Sequence, residues 1–280
     1  MLNDGALTTA PSQPQQLGPQ QGPGPQTQPA HSAAAPGVVC VGLGPGDPEL
    51  MSVKADRLVR GARHVAFFRK LGRAGKARQL VEGLLAPGAL EYPMEYPVTT
   101  ELPVDSAEYI GQLSAFYDDW CVRLETLART DQVVVLCEGD PFLYGSFMHL
   151  YTRLRERAAV RLEVVPGIPG MVGCWHATGE PITWGDDVLS VMTGTLPEDE
   201  LVRRMQTADA LVVMKVGRNL PRIRRALQRT GRLGAAWLVQ NGTTAQQQVA
   251  RLADVADDAC PYFAIVLVHG QGRRPEAAAW

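Results

Sequence analysis

The sequence is defined first by what it has little of. Its 280 residues include five cysteines, Cys40, Cys121, Cys137, Cys174 and Cys260, and no two form a C-x-x-C pair. That excludes a disulfide framework and a sequence-local zinc site; no metal is expected, and a reducing compartment is. The formal net charge is only -2, which gives no reason to expect a nucleic-acid partner. No apolar run approaches the roughly 18 residues that a bilayer span requires, so no membrane partner is expected either. Met1 to Pro36 contains no Lys, Arg or aromatic residue and is rich in Pro, Gln, Gly, Ala and Ser. Such a segment cannot bury a core, and residues 1–36 are predicted to be a disordered tail. The basic start of a secretory signal and the arginines of a transit peptide are both missing there, so a cytoplasmic location is expected.

What is present is organised around Val38-Val39-Cys40-Val41-Gly42-Leu43-Gly44-Pro45-Gly46-Asp47-Pro48. The β-branched run predicts a strand buried on both faces. Gly42, Gly44 and Gly46 then remove alternate Cβ atoms, as a tight turn lying close to a ligand requires. A helix carrying Leu50, Val53, Leu58 and Val59 on its core side is predicted to follow. The turn is neither a dinucleotide fingerprint, because Asp47 stands where a third glycine is needed, nor a phosphate loop. An acidic Asp47 would repel a pyrophosphate. A strand-to-helix connection without any ligand is the alternative for this turn alone.

Two further units repeat the pattern. Val133–Cys137 leads into Glu138-Gly139-Asp140-Pro141-Phe142-Leu143-Tyr144-Gly145-Ser146, and Leu162–Val165 leads into Pro166-Gly167-Ile168-Pro169-Gly170-Met171. In an open parallel sheet such turns gather at the carboxyl ends of the strands, where ligands bind. Between the first two units the pattern predicts a strand at His64–Phe68, ended by Arg69 and Lys70, and a helix over Lys76–Leu85. An edge strand interrupted by prolines follows near Glu91, then a long helix capped by Ser106. From Asp187 onward, strands at Val188–Met192, Ala210–Lys215, Ala236–Val239 and Phe263–Val268 alternate with helices at Leu196–Met205 and from Asn219. The fold class is therefore α/β, with an N-terminal α/β domain over 37–178 and a C-terminal one over 185–272, packed closely enough to leave a cleft.

With these residues in place, the chain resembles the tetrapyrrole (corrin/porphyrin) methylases, over roughly Val38 to His269. The three glycine turns carry the family resemblance. Tyr96-Pro97-Val98-Thr99-Thr100-Glu101, Cys137-Glu138-Gly139-Asp140-Pro141-Phe142, Gly145-Ser146-Phe147-Met148, Gly194-Thr195-Leu196-Pro197-Glu198, Met214 to Pro221 and Pro261-Tyr262-Phe263 point within it to the precorrin-2 C20-methyltransferases of cobalamin synthesis. The resemblance implies two α/β domains with S-adenosylmethionine bound folded between them and leaving as S-adenosylhomocysteine, a tetrapyrrole substrate, metal-free or cobalt-bound, and a homodimer. It places Leu43, Pro45, Asp140, Leu143, Gly145, Gly170, Met171, Met214, Gly242 and Thr243 around that cofactor. Carboxylates and backbone carbonyls suit a sulfonium cation better than a phosphate nest does.

Three positions depart from the family pattern: Pro169 stands where a Ser or Thr hydroxyl is usual, Thr193 where Pro is usual, and Gln240-Asn241 where Glu-Arg is usual. A family member with another methylation position, or a degenerate binding protein, would carry such changes. Methyl transfer is an in-line displacement that depends on positioning more than on strong acid or base chemistry. Asp47 is the candidate base or ring N–H acceptor, against its reading as a helix-start carboxylate. A polycarboxylate substrate calls for cations, and Lys215, Arg218, Arg69 and Lys70 are the candidates. The row Arg218, Arg222, Arg225 and Arg229 reads as a solvated helix face, and His64 and His149 as a strand-end and a helix-surface residue.

Overall fold

The computed structural model describes residues 35–99, 102–103 and 105–273. Most of the predicted tail, and Thr100 and Glu101 of the Tyr96 motif, lie outside the described residues. Five parallel strands form the first sheet: β1 (Gly37–Gly42), β2 (His64–Lys70), β3 (Leu90–Tyr96), β4 (Gln132–Cys137) and β5 (Leu162–Val165), in the order β3-β2-β4-β1-β5. The alternation of side chains sends Val39, Val41, Val65 and Val134 to one face, against Ala55 and Val59 of α1 (Val53–Arg60) and Ala77 of α2 (Lys76–Leu80). Val38, Cys40, Val133 and Val135 go to the other face, against α3 (Ala107–Ala128) and α4 (Phe147–Arg157). Both faces are covered, which is why these strands read as unbroken apolar runs.

Several predicted elements recur with changed edges. The Ser106 hydroxyl caps α3 by accepting the Tyr109 N–H at 3.2 Å, and β3 is an edge strand that tolerates Pro93. The first helix does not begin at Leu50: a short 3-10 turn, Pro48–Leu50, precedes it, and Ser52 caps α1. Leu50 and Val53 therefore face solvent, with Val53 83% exposed, and Ala55 and Val59 take the core positions. The helix predicted to Leu85 stops at Leu80, and β2 runs on through Arg69 and Lys70.

The second sheet is mixed. β6 (Leu189–Thr193) pairs in parallel with β7 (Ala210–Met214), while β8 (Ala236–Gln240), β9 (Gln248–Arg251) and β10 (Ala264–Val268) join antiparallel in the order β6-β7-β10-β8-β9. Strand β9 was not among the predicted elements. One face packs on α6 (Glu198–Gln206) and α7 (Leu220–Arg229). The arginine row is largely exposed and also ties these helices together, Arg225 to Glu198 and Arg229 to Glu198 and Asp199, with Arg222 on the Thr195 and Leu196 carbonyls. The opposite face receives α5 (Gly170–Ala177), the helix that leaves the third glycine turn: Cys174, Met171 and Trp175 pack among Val212, Val239, Ile265 and Leu267.

Candidate functional site

Strands β4, β1 and β5 are neighbours, so the three glycine turns emerge side by side at one sheet edge. Their backbones touch. A Cβ on Gly42 would meet the Gly167 nitrogen at 2.5 Å and the Gly139 oxygen at 2.7 Å. Gly44 and Gly139 exchange backbone hydrogen bonds of 3.4 and 2.8 Å. Asp140 ties two turns, since Oδ1 accepts the Phe142 N–H at 2.9 Å and Oδ2 accepts the Gly167 N–H at 3.1 Å. Gly170 differs: nothing lies within 4 Å of where its Cβ would be. The Gly170 and Met171 N–H groups at the start of α5 make no hydrogen bond among the described residues, and Pro169 offers no side-chain cap.

The turn after β8 closes onto the first turn. The Asp47 N–H donates to Thr243 Oγ1 at 3.1 Å. A Cβ on Gly46 would lie 2.9 Å from the same oxygen, and one on Gly242 would lie 2.7 Å from Cys174 Sγ. Burial pushes that thiol up to about 12, leaving it an inert packing group. Asn241 and Thr243 hold positive φ of 49° and 66°; Tyr144 and Lys215 hold 55° and 54°. Four non-glycine residues in these turns thus hold left-handed backbone, a conformation that clusters at functional sites. Lys215 Nζ sits 5.6 Å from the centre of the Tyr144 ring.

The profile of the tetrapyrrole (corrin/porphyrin) methylases matches residues 37–256. The chain belongs to that family. It is 50% identical over 239 residues to a precorrin-2 C(20)-methyltransferase of Sinorhizobium sp, covering 85% of this chain and 97% of the relative. A cobalt-precorrin-2 C(20)-methyltransferase of Salmonella typhimurium is 28% identical, with 81% and 94% covered. Among solved structures, a Thermus thermophilus uroporphyrin-III C-methyl transferase complexed with S-adenyl homocysteine is 26% identical with a TM-score of 0.57, covering 83% of this chain and 96% of that one.

On the methylase's first turn, Leu43 is 1% exposed and its side chain fills the core, so only its backbone reaches the turn surface. Pro45 is half-buried against Gly173, and Met171 and Met214 both lie in the layer under α5. Leu143 and Gly145 follow Asp140 in the second turn. Asp47 Oδ1 accepts the Glu49 N–H at 2.9 Å, capping its own 3-10 turn. Among the cations, Lys215 and Arg218 are exposed beyond β7, whereas Arg69 is neutralised by Glu95 through bonds of 2.9 and 2.6 Å. Lys70 is exposed at the end of β2. His64, predicted as a strand-end residue, is buried on Tyr92 with Nδ1 2.8 Å from its hydroxyl.

Sequence reasoning left several cleft residues without a role. The Tyr96 hydroxyl donates to Ser146 Oγ, and Tyr117 joins them; burial raises both phenols. Glu138 follows β4, and its Oε1 accepts the Ala77 N–H at 2.9 Å. Glu138 is exposed, and lost hydration raises its carboxyl against the pull of Ala77 and Lys76. Tyr262 is exposed, and Lys76 Nζ lies 5.8 Å from the Phe263 ring centre. Glu138, Tyr262 and Phe263 stood in the quoted motifs. Their meeting depends on contacts that sequence spacing does not encode.

Proposed function

We propose that this methylase transfers a methyl group from S-adenosylmethionine to C20 of precorrin-2, with the metal-free ring preferred over its cobalt form. The carrying observation is the 50% identity to the relative named for that reaction, against 28% to the one named for the cobalt substrate. The cofactor reading draws support from the related structure complexed with S-adenyl homocysteine and from the residues at the turns. Free N–H groups at Gly170 and Met171 suit the methionine carboxylate, and the open space at Gly170 admits it. Pro45, Leu143, Gly145, Met214, Gly242 and Thr243 line the remainder, Leu43 takes part through its backbone, and Asp140 acts by holding two turns in register. The cofactor supplies an electrophilic methyl on a sulfonium.

The chain's own residues hold the acceptor carbon in line with that methyl and exclude water. Exposed Phe142, Tyr144, Ile168 and Tyr262 offer an apolar bed for the macrocycle, while Lys215, Arg218 and Lys70 meet its carboxylates. Arg69 contributes less than Lys215 and Arg218, since Glu95 already holds its guanidinium. We read Asp47 as a turn cap with one oxygen left for a ring N–H. A homodimer in the cytoplasm completes the reading; its support is the family resemblance and five cysteines that are all free thiols.

The test is calorimetry with S-adenosylhomocysteine, then incubation with precorrin-2 and cofactor. Micromolar binding and a gain of one methyl, placed at C20 by NMR, is expected. Binding without methyl gain would replace this substrate with another. Light scattering checks the dimer.

A further inference from the structure

Methylating a methine carbon leaves it with both a methyl and a hydrogen, so a proton has to be taken away. Three acidic side chains stand on the turns at the sheet's carboxyl edge. Asp140 has spent both oxygens on the Phe142 and Gly167 N–H groups. Asp47 has one oxygen on its own 3-10 turn, and its backbone is clamped to Thr243. Glu138 also has one oxygen anchored, but by a residue 61 positions away on another element rather than by its own turn. Ala77 holds Oε1 at 2.9 Å, and among the described residues no other residue donates to the carboxylate and none forms an ion pair with it. It lies exposed at the carboxyl end of β4, directly before Gly139 of the second turn. Lys76 of α2, Tyr96 at the end of β3 and Tyr262 before β10 all feel its charge.

We propose that Glu138 is the proton acceptor of the methyl transfer, its Oε2 taking the hydrogen that leaves the methylated ring carbon. The inference rests on the C20 reading above. A π electron pair of the ring carbon forms the new C–CH3 bond as the S–CH3 bond breaks, and sulfur keeps that pair as a neutral thioether. The C–H pair of the same carbon then returns to the ring conjugation while the proton passes to Glu138 and onward to water. Neither oxidant nor reductant is involved. The anchored oxygen fixes the carboxylate's aim, and the raised carboxyl brings its basicity closer to working pH.

Glu138→Gln tests this, because the amide oxygen can still accept the Ala77 N–H while the base is gone. With precorrin-2, kcat should fall about 10²–10⁴-fold. Affinity for S-adenosylhomocysteine should stay within about threefold, less than 1 kcal/mol of binding energy. The wild-type rate should fall on the acid side as Glu138 protonates, above the ordinary carboxylate range, and the variant should lack that limb. A stability readout accompanies it. A carboxyl raised in the folded state adds stability below its unfolded value and loses that contribution as pH rises through the folded value. Wild type should therefore lose ground to Glu138→Gln on going from pH 4 to pH 8.

Turnover of Glu138→Gln within threefold of wild type, or an acid limb that persists, would overturn the proposal. So would a loss of activity matched by equal losses of cofactor affinity and melting temperature, which a purely structural cap would give. If wild type itself leaves precorrin-2 unmethylated, the substrate reading falls and takes the proposal with it; a failure confined to the variant test removes only Glu138.

Discussion

Asp47 and Thr243 stand 196 positions apart, and the backbone N–H of one donates to the hydroxyl of the other at 3.1 Å. This bond joins the first glycine turn to the turn after β8. Replacing Thr243 by Val keeps the shape and strands the Asp47 N–H. Stability should fall by about 0.5–1.5 kcal/mol, and S-adenosylhomocysteine should bind more weakly. Thermal melting with calorimetry reads both.

Gly42 and Gly170 should behave oppositely when changed to Ala. At Gly42 the new methyl meets backbone on both sides, at 2.5 and 2.7 Å, which cannot swing away. A loss of about 1–3 kcal/mol or more is expected, with cofactor binding lost alongside. At Gly170 the methyl enters open space and the helix gains a better former. Melting temperature should hold or rise there, and only cofactor affinity should drop. Equal effects at the two positions would refute the distinction.

Lys215 and Arg69 separate in the same manner. Lys215→Ala should raise the KM for the polycarboxylate substrate several-fold and leave S-adenosylhomocysteine affinity unchanged, with the effect shrinking at high salt. Arg69→Ala should change KM less, because Glu95 already holds the guanidinium. Steady-state kinetics at two salt concentrations decide it.

Acid should weaken the first sheet through Glu163 on β5. Lys54 at 2.5 Å, helped by Arg161, holds its carboxyl below the usual carboxylate range. A depressed carboxyl contributes stability above its unfolded pKa of about 4.3 and loses that contribution as pH falls through the folded value. The melting temperatures of wild type and Glu163→Gln should therefore differ at pH 6, and the difference should shrink as pH falls below about 4.3.

Alkylation tests the thiols. Cys40, Cys121, Cys137 and Cys174 are buried, and burial pushes Cys121 to about 11 and Cys174 to about 12. Brief iodoacetamide treatment of the native protein at pH 7.5, read by peptide mass spectrometry, should label Cys260 alone, and slowly. Rapid labelling of Cys40 would contradict the buried, unbridged Cys40–Cys137 pair, whose sulfurs lie 3.5 Å apart.

Much of the site was legible because backbone contact leaves only one residue type. Gly42 and Gly167 are glycines since their chains touch, and the same packing fixes where a ligand approaches. Ser106 and Pro93 were legible for equally local reasons, a cap and an edge. Apolar periodicity misled at Leu50 and Val53, where Pro48 and Ser52 break the helix that the pattern joins. Long-range partners stayed hidden. The Arg69–Glu95 pair follows from the register of β2 and β3, and the Ala77–Glu138 bond from the fold of α2 over β4. Strand β9 was missed because its edge position and Gln-rich start give no apolar alternation.

Helix α5 grows from the first sheet's last strand, but its apolar side belongs to the second sheet. Any exchange of C-terminal halves between relatives, or any split of the gene for fragment complementation, therefore has to cut before Gly170. A junction placed in the Gly179–Gly185 connection would strip Cys174, Met171 and Trp175 from the face they cover and leave that fragment prone to aggregate.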